Sequence, residues 1–212
     1  MVTAKTRHQC SITGPSIGKT IMATSTPSIR VFAIGPIRVP HRITSPQRKI
    51  LERAAACLDD PQAHRVVTSC INGDCEFSLR LLDWFVTIYA RLKNLRIDTE
   101  GRDSVHLYDK YKSALMLYKR RDFDPFRRLM RRGQQSNSSP QVEVTTPEGG
   151  VVKTTIGQLN FLCWAHRNSV IGYIHENKNE IEKNMQLIGR RPVNMIDMPP
   201  CSVVVSNFQV TL

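Results

Sequence analysis

The sequence contains no run of apolar residues approaching the ~18 that a membrane-spanning helix requires. Nor does an apolar stretch of signal-peptide length follow Met1-Val2-Thr3-Ala4-Lys5, so synthesis and folding in a cytosol-like compartment are expected. It lacks a Cys-x-x-Cys pair. The six cysteines, Cys10, Cys57, Cys70, Cys75, Cys163 and Cys201, are spread over the whole chain. Cys70 and Cys75 are five positions apart, wider than the usual zinc-ligand spacing. No metal site is expected, and the thiols read as reduced and mostly buried, although a particle leaving the cell could oxidise some later. There is no nucleophile elbow, no His-Glu-x-x-His and no paired-carboxylate signature. No catalytic residue and no cofactor are therefore assigned, and the chain is expected not to be an enzyme.

Two local patterns come near to chemistry. Thr13-Gly14-Pro15-Ser16-Ile17-Gly18-Lys19-Thr20 resembles a phosphate-binding loop, but Thr13 stands where the first glycine is required. A phosphate loop also follows a buried strand and opens a helix. Here the preceding residues are polar and charged, and Pro27 comes soon after. Cys163 and His166 are three apart on a predicted helix and could touch, yet Leu159 and Leu162 turn that helix toward a core. A buried thiol beside a surface histidine is the simpler reading.

Acidic residues are also scarce: 18 against 30 lysines and arginines, a net charge of +12. Such an excess favours anionic partners, whether nucleic acid, acidic protein faces or anionic membrane. The charge is concentrated in Lys119-Arg120-Arg121-Asp122-Phe123-Asp124-Pro125-Phe126-Arg127-Arg128-Leu129-Met130-Arg131-Arg132, where seven of fourteen positions are basic. Arginine binds phosphate bidentately and aromatic rings stack on bases, which gives a nucleic-acid reading. Arginine and phenylalanine are also typical anchors of protein interfaces. A solvated basic face with two core phenylalanines is the third reading. The candidate interaction surface is Lys119, Arg120, Arg121, Phe123, Phe126, Arg127, Arg128, Arg131 and Arg132.

Along the chain, residues 1–44 read as an extended basic arm, rich in Ser, Thr, Pro and Gly, with short β-like runs at 29–34 and 37–39. Alone it buries too little apolar surface to offset its ordering entropy. Ser45 as N-cap with Pro46 behind it starts a helix in which Ile50, Ala54, Cys57 and Leu58 share one face. Asp59-Asp60-Pro61 ends it. Asn72-Gly73-Asp74 is a turn able to cap the next helix, whose Leu79, Leu82, Phe85, Val86 and Tyr89 mark it as the central buried one. Residues 99–103 read as a loop. A third helix is expected over 104–118, with Leu107, Tyr111, Leu115 and Tyr118 inward. Residues 133–140 are a polar loop. Alternation in 142–146 and 151–155 around Pro147-Glu148-Gly149-Gly150 predicts a hairpin. Helical pattern resumes at Ile156, where Thr155 and Gln158 suit a capping box, and Gly189 ends the last helix. The tail, 191–212, carries a strand pattern over 202–210. The expected fold is α+β: a mainly helical core over 45–190 with a small antiparallel hairpin or sheet, flanked by an N-terminal arm and a C-terminal tail.

Several blocks in order have a specific resemblance: Asp83-Trp84-Phe85-Val86-Thr87-Ile88-Tyr89, Tyr111-Lys112-Ser113, Lys119 to Arg128 with its Phe123-Asp124-Pro125-Phe126 centre, Thr154-Thr155-Ile156-Gly157-Gln158-Leu159-Asn160-Phe161 with Trp164-Ala165, and Glu180 to Met185. They cover about half the chain, and the order is similar to a family of nucleocytoplasmic large DNA viruses (iridovirus-, chlorella-virus- and mimivirus-like). Leu162-Cys163 and Asn184 depart from that pattern. The resemblance supplies no catalytic residues. It implies a virus-encoded structural protein, assembled in the host cytoplasm and carried in the virion as a minor capsid component beneath the icosahedral shell. The partners implied are the major capsid protein, other minor capsid proteins and further copies of itself. The basic patch could also meet nucleic acid or an inner membrane surface. The alternative function is a basic viral nucleic-acid-binding protein acting through Lys119–Arg132.

Overall fold

The computed structural model describes residues 32–39, 42–99, 102–126 and 139–189. Helix α1 spans Ser45–Leu58. Its cap is Thr44, one residue ahead of the expected Ser45. The Thr44 hydroxyl accepts the Gln47 N–H at 3.4 Å, and Gln47 Oε1 accepts the Thr44 N–H at 3.0 Å, a reciprocal capping box. Ile50, Ala54, Cys57 and Leu58 are all buried, as their spacing predicts. Asp59-Asp60-Pro61 ends α1 and immediately begins α2 (Pro61–Asn72), a helix not assigned from the sequence although Ala63, Val66, Val67, Cys70 and Ile71 recur at helical spacing. The Asp60 carboxylate accepts the N–H groups of Gln62 and Ala63, both at 3.1 Å. Those two bonds hold the Asp60 carboxyl below its usual range.

Gly73, at φ +89°, closes α2 in a left-handed cap that a side chain would strain. The chain then doubles back, and Cys70 and Cys75 are joined in a disulfide with Cα atoms 5.0 Å apart. The expectation of reduced thiols fails for this pair, because the cap turn places the two residues at bridging distance. Cys57 and Cys163 remain free and buried.

Helix α3 (Leu79–Trp84) is capped by Ser78, not by the Asn72–Asp74 turn. It runs through a π-helical turn at Phe85–Tyr89 into α4 (Ala90–Leu92). The expected loop over 99–103 and helix start at 104 give way to an antiparallel pair, β3 (Arg96–Thr99) and β4 (Arg102–His106). Helix α5 therefore spans Leu107–Leu117. Its inward phase is Leu107 and Ala114 with half-buried Tyr111; Leu115 is 40% exposed rather than inward.

The main sheet has four antiparallel strands. Strand β1 (Phe32–Ile34) pairs with β2 (Ile37–Val39), which pairs with β5 (Gln141–Thr145), which pairs with β6 (Val151–Thr155). Residues 32–39, assigned to the arm from sequence, thus belong to the sheet. Their partner strand lies about a hundred residues away, so local pattern could not supply it. Alternation sets the inner face: Ile37, Val39, Val142, Val144, Val152 and Thr154 are all buried. The strand pattern over 202–210 lies outside the described residues.

Helix α6 (Ile156–Arg167) continues from β6 without a loop, and α7 (Val170–Gly189) comes next, with a kink at Asn177. Helix α6 packs against α1, α2 and α7. Its residues 156 to 165 are all buried, so α6 is the central helix, not α3. A helix buried on every side has no amphipathic stripe to betray it. The architecture is α+β, a helical core on a small antiparallel sheet.

Candidate functional site

The basic cluster begins where α5 ends. Lys119 and Arg120 are exposed, Arg121 is half-buried, and residues 120–122 make one 3-10 turn. Asp122, at the end of that turn, is the centre of a clasp. Its carboxylate accepts the Gln47 side-chain N–H at 3.0 Å, and its carbonyl accepts the Asn160 side-chain N–H at 2.8 Å. All three residues are buried. One short turn therefore ties the start of α1 to the first turns of α6. A buried amide or carboxylate left without its partner costs ~1–3 kcal/mol, so such a network is kept only if complete.

Phe123 closes the turn against the core. It is 3% exposed. Its ring stacks on Tyr118 at 5.4 Å, meets Phe161 at 5.2 Å and sets its edge against Trp164 at 5.6 Å. As a surface residue Phe123 is misassigned: it is a core side chain. Spacing could not reveal this, because the aromatic partners come from the end of α5 and from α6. Phe126 is half-buried. Its N–H donates to the Asp124 carboxylate at 2.9 Å, closing a turn around Pro125.

Residues 127–138 lie outside the described residues, and with them Arg127, Arg128, Arg131 and Arg132. Their two flanks are both described, and both are fastened at the amino end of α6. On one side the Asp124 N–H donates to the Gly157 carbonyl at 3.3 Å, and the Gln158 side chain donates to the Pro125 carbonyl at 3.1 Å. On the other, the Gly157 N–H donates to the Ser139 hydroxyl at 2.9 Å, and the Ile156 N–H to the Pro140 carbonyl at 3.0 Å. Both described flanks, 124–125 and 139–140, are thus held at the same end of α6.

That base uses up the donors of the helix end. The N–H groups of Ile156, Gly157 and Gln158 go to Pro140, Ser139 and Thr155, so the α6 terminus offers none of these three to an anion. The expected capping box is half formed: Thr155 caps the Gln158 N–H at 3.2 Å, but the Gln158 side chain turns away to Thr154 and Pro125. Gly157 is obligatory here. A Cβ at this position would strike the Arg121 carbonyl oxygen, with the carbonyl carbon only 3.2 Å away.

Cys163 and His166 do not act on one another. Cys163 lies against Cys57, and the contact pulls the Cys57 thiol down to about 7 while Cys163 is pushed up by that contact and by burial. The His166 ring faces Asp60, Nε2 to Oδ2 3.9 Å. Burial lowers the His166 pKa. The Thr13–Thr20 sequence lies outside the described residues.

These features define an α+β core whose specific sequence blocks meet at a clamped basic segment. The model of a family of unknown function (DUF7197) matches residues 38–192, and the chain belongs to that family. Over 119 residues it is 34% identical to the uncharacterized protein L507 of Acanthamoeba polyphaga mimivirus, a stretch covering 55% of this chain and 44% of that protein. The chain thus spans less than half the length of the curated relative it matches. A relative in a large DNA virus supports the viral side of the resemblance. No solved structure matches.

Proposed function

We propose that the chain is a non-enzymatic structural protein of the virion of a large DNA virus, a minor capsid component that joins neighbouring shell proteins. Its docking element is the basic segment through Arg127, Arg128, Arg131 and Arg132. The observation that carries this reading is the clamp: both flanks of that segment are fixed to residues 156–158. A binding element on a rigid base loses less freedom when it docks. Its net positive charge suits an acidic face on the major capsid protein, another minor capsid protein or a second copy. The nucleic-acid reading keeps its phosphate-binding arginines but loses the Phe123 ring, which is committed to the core.

The chain carrying Arg127→Gln, Arg128→Gln, Arg131→Gln and Arg132→Gln is the test. Each chain is tagged and expressed in infected cells so that it is present during assembly, and the purified virions are then stripped with detergent and nuclease to bare shells. The native chain is expected to sediment with them, and the fourfold variant to be retained at least about tenfold less, four charge-assisted contacts having been removed. Equal retention of the two chains would contradict the proposed docking element. Binding to nuclease-released nucleic acid, and not to shells, would transfer the arginines to genome contact, with a steep salt dependence as its signature.

A further inference from the structure

The last turn of α5 exposes three consecutive apolar side chains: Leu115 at 40%, Met116 at 88% and Leu117 at 68%. Successive helical residues are set about 100° apart, so these three cover roughly 200° of the helix circumference. They are a protruding tip, held from behind by buried Ala114 and half-buried Tyr111 and Tyr118. Around the base of the tip stand cations from three elements. Exposed Lys119 and Arg120 follow the tip in the chain, and Lys112 of α5 stands one turn back, its ammonium 5.9 Å from the centre of the Tyr108 ring. Arg53 of α1 reaches in, its guanidinium donating to the Tyr118 hydroxyl at 3.3 Å. The exposed acids nearby are set back: Asp109 lies in the first turn of α5, and Glu52 is paired with Arg48 at 3.4 Å.

From this geometry we infer that the α5 tip seats in the interfacial layer of an anionic lipid bilayer. A groove on a protein accepts a stripe along one helix face. A tip apolar over more than half its circumference suits a fluid medium that closes around it, while the ring of cations meets the headgroups. The attachment is peripheral, since no helix among the described residues is long and apolar enough to cross a membrane. The inference stands apart from shell docking, because Leu115, Met116 and Leu117 do not belong to the Arg127–Arg132 segment.

The full chain is sedimented with vesicles of phosphatidylcholine and phosphatidylserine in a roughly two-to-one ratio, and with phosphatidylcholine alone. The native chain is expected to bind the anionic vesicles and to bind the neutral ones far more weakly. Met116→Asp with Leu117→Asp should cut binding to anionic vesicles by at least about tenfold, because two apolar contacts become charged. Both residues are largely exposed, so the circular dichroism and the melting temperature should not move. Met116→Leu should bind like the native chain. Absence of native binding would overturn the inference. So would undiminished binding by the double variant, which would leave the lipid contact to charge alone. A native dimer that the double variant abolishes, with no vesicle binding, would assign the tip to a second copy instead.

Discussion

Replacing Phe123 by alanine is expected to destabilise the fold by about 3–5 kcal/mol, the range for removing a large aromatic from a packed core. The ring is 3% exposed and touches Tyr118, Phe161 and Trp164. Offset and edge-on ring pairs add to the area it buries. The ring also pins the turn from which the basic segment departs, so the loss should extend beyond one cavity. Denaturant unfolding monitored by circular dichroism is the check. Against a domain stability of roughly 5–15 kcal/mol, an effect of this size should be plain in the midpoint. A surface ring that waits for a partner would give a midpoint shift near zero, and that result would return Phe123 to the interaction surface.

Gly157→Ala carries the second large effect, and its sign is the informative part. Glycine to alanine inside a helix ordinarily stabilises by up to ~1 kcal/mol. Here the added methyl meets backbone, the carbonyl of Arg121, and the nearby Phe123 nitrogen is 3.4 Å away. Neither atom belongs to a flexible side chain that could swing aside. Relief requires residues 120–124 of the clasp to lift from α6, which would stretch the bonds from Asn160 to Asp122 and from Asp124 to Gly157. A net loss of about 2 kcal/mol or more is expected, at the upper part of the usual overpacking range. Amide exchange at Asp124 should quicken in parallel. An unchanged or higher midpoint would mean that the clasp is looser than its contacts indicate.

Much of the fold is legible where pattern is local. The helix start at Ser45-Pro46, one residue off at its cap, the one-faced burial of Ile50, Ala54, Cys57 and Leu58, and the hairpin of β5 and β6 all arise from neighbouring residues. The losses have specific causes. Helix α2 carries the helical spacing Ala63, Val66, Val67, Cys70 and Ile71, but it follows α1 without a gap, and Asp60-Pro61, its cap and first-turn proline, reads equally well as the end of α1. The β3–β4 pair holds short strands of mixed charge. Strand β2 reads as part of an arm because its partner, β5, is remote in sequence. Helix α6 hides its centrality because Gln158 and Asn160 look like surface residues until their hydrogen bonds to Pro125 and Asp122 are seen.

The candidate site is legible in part. The density of arginine over 119–132 is plain in the sequence, and so is the specificity of the Phe123–Phe126 and Thr154–Phe161 blocks. What sequence alone could not supply is that these two blocks touch. Asp122, Asn160, Gln158, Ser139 and Gly157 form the clamp, and sequence pattern marks none of them as a site residue. For Gln158 and Asn160, polar character within otherwise apolar sequence is the available signal, since a buried polar side chain requires a partner.

The most direct test of the virion assignment is fractionation of purified virions of the encoding virus. Detergent removes lipid, nuclease removes genome, and the chain is followed by mass spectrometry in each fraction. The proposed role predicts that it remains with the protein shell after both treatments. Its absence from purified virions, or its release with the nucleoprotein, would contradict a shell role.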